Sequence, residues 1–255
     1  NIFQRLPGAY ARRMAKWFGQ RLFKLPPSRP IITFTFDDFP RSALSVGGIV
    51  LEEIGARGTY FTSLGLMGQT IPTGEMFQNA DLTELLRRGH ELGCHTFDHF
   101  PAWETPPATY ELSAIKNAAS LLDIFDLGAV QSHSFPISYP RPATKRRLER
   151  HFRGCRGGGQ TFNSGTLDLN YLNSFFLEQS RDDLGAVERV IAANTAAGGW
   201  LIFSTHDIAS APTRFGCTPQ FFEAVVRAAA ASGARIVPMS AALDLIGVAP
   251  LSPLP

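Results

Sequence analysis

Cysteine is scarce in this 255-residue chain. There are three, Cys94, Cys155 and Cys217, an odd number at wide spacing. They make no disulfide framework, and the expectation is a reducing, cytoplasmic setting. Long apolar runs are missing as well. No window reaches the ~18 uninterrupted apolar residues of a spanning helix, and no signal-peptide-like stretch follows Asn1. A strong excess of one charge is also missing: the formal net charge is +2, too mild for nucleic acid as the main partner. No internal repeat or low-complexity segment stands out. What is present is 44% hydrophobic, 11% aromatic and 18% charged residues. That suits one globular domain with a sizeable core, and the length fits a single α/β barrel.

Residues 1–30 read differently from the rest. "RLPGAYARRMAKWFGQRLFKL" carries Arg5, Arg12, Arg13, Lys16, Arg21 and Lys24 and no acid, with Met14, Trp17, Phe18, Leu22 and Phe23 at helical spacing. Two readings compete: a helix lying on an anionic membrane surface through residues 1–25, or a helix packed across one end of the domain with its basic face in solvent. The second is preferred. "LPPSRP" then breaks the helix.

From residue 31 onward, strand-like and helix-like segments alternate. "IITFTF" (31–36), "GTYFTSL" (58–64), "ELGCH" (91–95), "SFFLEQ" (174–179), "WLIFSTH" (200–206) and "ARIVPM" (234–239) read as strands, separated by helical patterns such as 43–55, 81–89, 109–125, 143–152, 183–199 and 218–233. Repeated βα units imply parallel strands with covering helices. A closed barrel and a doubly wound sheet both remain open on pattern alone.

In such folds chemistry collects at the carboxyl ends of strands. Three strands here end in metal-competent or acid–base groups: Asp37-Asp38, the run "HTFDH" with His95 and His99, and His206-Asp207. A spacing of four lets two imidazoles meet one ion, and Asp38 supplies a carboxylate, leaving a position for water. Adjacent side chains on a strand point to opposite sides, so Asp37 and Asp38 divide their labour. His206 is the natural general acid. "GCRGGGQ" (154–160) lacks the ending of a phosphate-binding loop and reads as a flexible loop at the rim. His133 is a candidate for the cleft lining; His90 and His151 read as structural or exposed.

The motifs "TFDD" (35–38), "HTFDH" (95–99), "SYPRP" (138–142) and "IFSTHD" (202–207) together resemble the polysaccharide deacetylase family of carbohydrate esterases. The resemblance covers about residues 31–245. It implies a distorted (β/α)7 barrel for a catalytic domain at 31–255. It makes Asp37 the catalytic base, Asp38, His95 and His99 the ligands of one divalent metal ion, most often zinc, and His206 the catalytic acid. The sequence departs from the family pattern in three places. Phe39 stands where the family has Gly. The third motif's arginine, which holds the catalytic Asp, falls on Ser138, so Arg141 is the substitute considered, for that contact or through its N–H for the oxyanion. The Asp–Trp motif that buttresses the catalytic His has no clear counterpart. Phe39, Tyr139 and Arg141 are the candidate substrate or oxyanion residues.

The function expected from the resemblance is metal-dependent removal of N-acetyl groups from an amino sugar of a surface polysaccharide or its precursor, releasing acetate. The partner is then an acetylated glycan, at the inner membrane surface if the precursor is lipid-linked. Two alternatives stay open: a metal-dependent amidase acting on a non-carbohydrate amide or cyclic imide, and a non-catalytic glycan-binding relative.

Overall fold

The computed structural model describes residues 2–26, 28–125, 127–137 and 139–251, with side chains from residue 8 onward. The third-motif position Ser138 lies outside the described residues. In chain order the elements are α1 (Ile2–Trp17), β1 (Leu22–Lys24), β2 (Ile31–Phe36), a π-helical turn (Ala43–Gly48) running into α2 (Ile49–Glu53), β3 (Thr59–Thr62), the hairpin β4–β5 (Thr70–Ile71, Gly74–Glu75), α3 (Asn79–Arg87), β6 (Glu91–Cys94) and α4 (Pro107–Phe125). There follow β7 (Ser132–Ser134), α5 (Pro142–Leu148), β8 (Gly154–Arg156), β9 (Thr166–Asp168), β10 (Phe175–Phe176), a 3-10 turn (Leu177–Ser180), α6 (Leu184–Ala197), β11 (Trp200–Thr205), α7 (Pro219–Ala231), β12 (Arg235–Ile236) and α8 (Met239–Leu245).

The main sheet is parallel, in the order β10-β11-β2-β3-β6-β7-β8, with β12 also pairing the start of β2. It curls into a barrel with helices around it, as the family pattern implied, and so decides between the two open architectures. No ladder joins β8 to β10 among the described residues. That side is crossed by the antiparallel pair β1–β9 and a single bridge between Arg156 and Leu172.

The sheet has two buried faces, which is why "IITFTF" is apolar at nearly every position rather than alternating. Ile32, Phe34 and Phe36 of β2 pack outward with Tyr60, Leu201 and Phe203 in the layer under the helices. Ile31 packs inward with Phe61, Leu172, Trp200 and Ile202. Thr33 faces the same interior, where its Oγ1 accepts the indole N–H of Trp200 at 3.0 Å. Helix ends follow their sequence signals. Asp183 caps α6 and Gly198 ends it at positive φ, while Thr218 caps α7 ahead of Pro219.

The segment read as "GCRGGGQ" is not a flexible loop throughout. Its first three residues are the fully buried strand β8, and a Cβ on Gly157 would lie 2.0 Å from the Tyr171 ring, so only glycine permits that approach. The N-terminal helix does pack on the domain, and among its described side chains the buried ones are alanines. Ala11 and Ala15 are buried, whereas Trp17, Phe18 and Leu22 are exposed.

Candidate active site

The inward register selects the site. Counting by twos along β2 from Ile31 leads to Asp37, along β11 from Trp200 to Ser204 and His206, and along β6 to His95. Ser134 of β7 and Arg156 of β8 are direct neighbours in the ladder. All of these side chains meet at the carboxyl end of the barrel.

Alternation alone would turn Asp38 outward. The strand stops at Phe36, however, and both Asp38 and Phe39 adopt left-handed backbone, φ 62° and 58°. That turn returns Asp38 to the mouth, where its Oδ1 lies 2.8 Å from His99 Nε2 and 3.4 Å from His95 Nε2. The same turn sends Phe39 into the core. Its ring is fully buried, stacked on Phe77 at 5.2 Å and set against Tyr60. Phe39 therefore does not line a cleft, which corrects the sequence expectation.

Asp38, His95 and His99 offer one ligand atom each, all within 4.8 Å of one another. Three features fit a divalent ion there. The Nδ1 of His95 donates to the Ser134 carbonyl at 2.9 Å, so its Nε2 carries the lone pair toward Asp38. Asp38 Oδ1 is buried without a well-directed donor, while Oδ2 accepts from Thr73 at 2.8 Å. Burial pushes the His95 imidazole toward the neutral form that coordinates metals, against the pull of Asp38 and Asp37. The loop between the two histidines is pinned from α4. Ser113 accepts from the N–H groups of Phe97 and Asp98 and donates to the Asp98 carboxylate.

Asp37 is held from three sides. The Arg156 guanidinium bonds both of its oxygens, and Ser134 and Ser204 donate to one oxygen each at 3.2 Å. Burial raises the carboxyl's pKa, and Arg156, His95 and His206 more than offset it, so the group stays below the usual carboxylate range. Arg156 itself is packed between the rings of Phe61 and Phe176.

The arginine beside the base is thus Arg156, which the sequence reading missed. Arg141, the substitute it considered, instead donates Nε to the Trp103 carbonyl and stands at the residue before α5. The available signal was an arginine closing a short apolar segment ahead of a glycine run. Tyr139 is half-buried, its ring 6.3 Å from that of Tyr171. His133 does not line the cleft. It is fully buried, its Nε2 lies 3.0 Å from the Tyr110 hydroxyl, and burial holds it far below the usual histidine range.

His206 sits with Nε2 4.0 Å from Asp38 Oδ2, and its Nδ1 is 3.2 Å from the Phe215 carbonyl, which assigns the proton to Nδ1. Asp207 builds the loop that brings that carbonyl in, accepting from the Thr213 N–H and hydroxyl. Glu178 is a second residue the sequence reading missed. Since β10 pairs with β11 in the register Phe176–Ser204, the turn after β10 carries Glu178 to the level of His206. Its Oε2 is buried without a partner. Burial pushes its carboxyl up to about 7, with His206 pulling the other way.

Comparison with known proteins bears on the family and the fold. A family model described as polysaccharide deacetylase matches residues 24–151. No curated protein matches the sequence. Among solved structures, a family 4 acetyl xylan esterase from Clostridium thermocellum, in complex with a cobalt ion, is similar with a TM-score of 0.59 and 18% identity over 88% of this chain and 94% of that one. A peptidoglycan deacetylase from Bacillus subtilis (a mutant form) gives a TM-score of 0.54 and 14% identity over 87% and 93%. A CE4-family pseudoenzyme from Bacillus anthracis gives 0.59 and 9% over 88% and 68%.

Proposed function

The chain belongs to the polysaccharide deacetylase family, and from that we propose that it is a metal-dependent hydrolase removing N-acetyl groups from an amino sugar of a surface polysaccharide or its precursor. The observation that carries the reading is the cluster itself: three metal-competent atoms within 4.8 Å, with an ionised buried carboxylate and an oriented imidazole beside them.

In this reading Asp38, His95 and His99 hold the ion, and two imidazoles with one carboxylate favour zinc. When bound, the ion supplies Lewis-acid polarisation of the acetyl carbonyl. Asp37 takes a proton from the attacking water, its two oxygens fixed in rotation by Arg156, Ser134 and Ser204. His206, with its Nδ1–H held by the Phe215 carbonyl, acts in the doubly protonated form and delivers its second proton from Nε2 to the leaving nitrogen. An amine leaves poorly without that proton, which favours an amide substrate over an ester. Tyr139 supplies an aromatic wall on which a sugar ring stacks.

The test is acetate release by purified, metal-loaded protein from an N-acetylated oligosaccharide, with acetylated xylan and a cyclic ureide as competing substrates. Turnover of the N-acetyl substrate that falls at least ~100-fold in Asp37→Asn and in His206→Ala supports the reading. Ring opening of the ureide in its place makes the chain an amidase. Retention of no metal, together with glycan binding without acetate, makes it a non-catalytic relative.

A further inference from the structure

The N-terminal helix presents an apolar and basic face that its own packing does not use. Seven Lys or Arg precede Asp37, the first acidic residue of the chain. The helix is anchored through small residues and its C-terminal carbonyls. Ala11 and Ala15 are buried, and Lys145 Nζ donates to the carbonyls of Ala15 (2.6 Å) and Phe18 (3.0 Å) and pairs with Asp168. The following turn is held by Arg21, whose guanidinium donates to the carbonyls of Glu149, Phe152 and Arg153. These contacts fix which face is outward.

That face is unusual for a water-exposed helix. Tyr10, Trp17, Phe18 and Leu22 are 59, 61, 52 and 63% exposed. Arg12, Arg13, Lys16 and Lys24 are exposed among them, with the Lys16 ammonium 5.3 Å from the Trp17 ring. Aromatic rings interleaved with cations, without acids, match the boundary between lipid headgroups and acyl chains. No helix among the described residues is long and apolar enough to cross a membrane. The face also lies next to the site. Tyr10 packs edge-on against Trp103 at 5.9 Å, on the loop after His99, and Gly19 abuts Pro142, on the segment after β7.

We propose that Tyr10–Lys24 is a docking surface for an anionic lipid bilayer, which the protein meets beside its barrel mouth. Each exposed cation beside an anionic surface contributes about fivefold in partitioning, and immersion of the rings adds an apolar share insensitive to salt.

The experiment is co-sedimentation of the full chain with vesicles of phosphatidylglycerol mixed into phosphatidylcholine, against phosphatidylcholine alone. Thermal melting serves as the control for folding. The expected result is binding to the anionic vesicles only, weakened by salt. Arg13→Gln/Lys16→Gln is expected to lower it by about 30-fold and Trp17→Ala/Phe18→Ala by about tenfold, both with unchanged melting. Equal binding by all three proteins, or none by the wild type, overturns the proposal. So does self-association through Trp17 and Phe18, or retention by a soluble anionic polysaccharide, in the absence of vesicle binding. The readout is binding alone, so the outcome is independent of the proposed reaction.

Discussion

Replacing Arg156 by Ser tests the best-defined contact in the site. Arg156 is 1% exposed and Asp37 4%, so the variant leaves a buried carboxylate without its cation. Breaking such a pair from one side costs about 3–5 kcal/mol. For a chain of this size each kcal/mol moves the melting temperature by about 2–4 °C, so a fall of roughly 6–20 °C is expected. Ser134 and Arg156 are adjacent in the β7–β8 ladder, and both reach Asp37. The exchange Ser134→Arg with Arg156→Ser therefore keeps one guanidinium and one hydroxyl beside the carboxylate at nearly constant volume. It is expected to recover at least half of the lost stability, whereas Ser134→Arg alone overpacks the site. The assay is thermal unfolding of the three variants, with acetate release as a second readout. If Arg156→Ser melts within ~2 °C of wild type, or the exchange is no better than the worse single variant, the pairing does not carry the stability assigned to it here.

Three further outcomes follow. His95→Ala and His99→Ala should each abolish stoichiometric zinc retention measured by elemental analysis after dialysis, and His95→Ala, which also empties a buried position, should melt lower. Glu178 has a folded-state pKa of about 7 above its ordinary value of 4.5. Its contribution to stability is therefore complete below pH 4.5 and lost as pH rises through about 7. Glu178→Gln should then exceed wild type by about 2–3 kcal/mol above pH 7, with the gain vanishing near pH 4.5 in denaturant melts at several pH values. Phe39→Gly relieves a left-handed backbone worth about 1–2 kcal/mol but deletes a buried ring worth about 3–5. The family-like residue should thus destabilise this chain by about 1–4 kcal/mol, and a stabilised variant would show that the stack on Phe77 counts for little.

The residues legible in the sequence were those whose side-chain chemistry is scarce: a carboxylate pair, two histidines four apart and a histidine at a strand end. Their convergence followed from the βα alternation, because parallel strands share one carboxyl end. Arg156 was not legible, since arginine is ordinary at a surface and only the ladder register places this one opposite Ser134, beneath Asp37. Phe39 misled for a local reason. Its place after the acids suggested the cleft, and positive φ at two successive residues reversed the side on which it falls. Glu178 depends on the register of a two-residue strand, which no periodicity reports. The N-terminal helix showed its amphipathic composition, but not that alanines would make the contact and leave Trp17 outside.

The tether on His206 comes from the main chain. Phe215 contributes a peptide carbonyl, and no substitution at 215 other than one that displaces the backbone removes it. Vulnerability shifts instead to Gly216, where any Cβ would fall 2.2 Å from the Asp207 carbonyl oxygen. The tether therefore depends less on the residue that supplies it than on the loop's frame, the Asp207–Thr213 bonds and the bare Cα at 216.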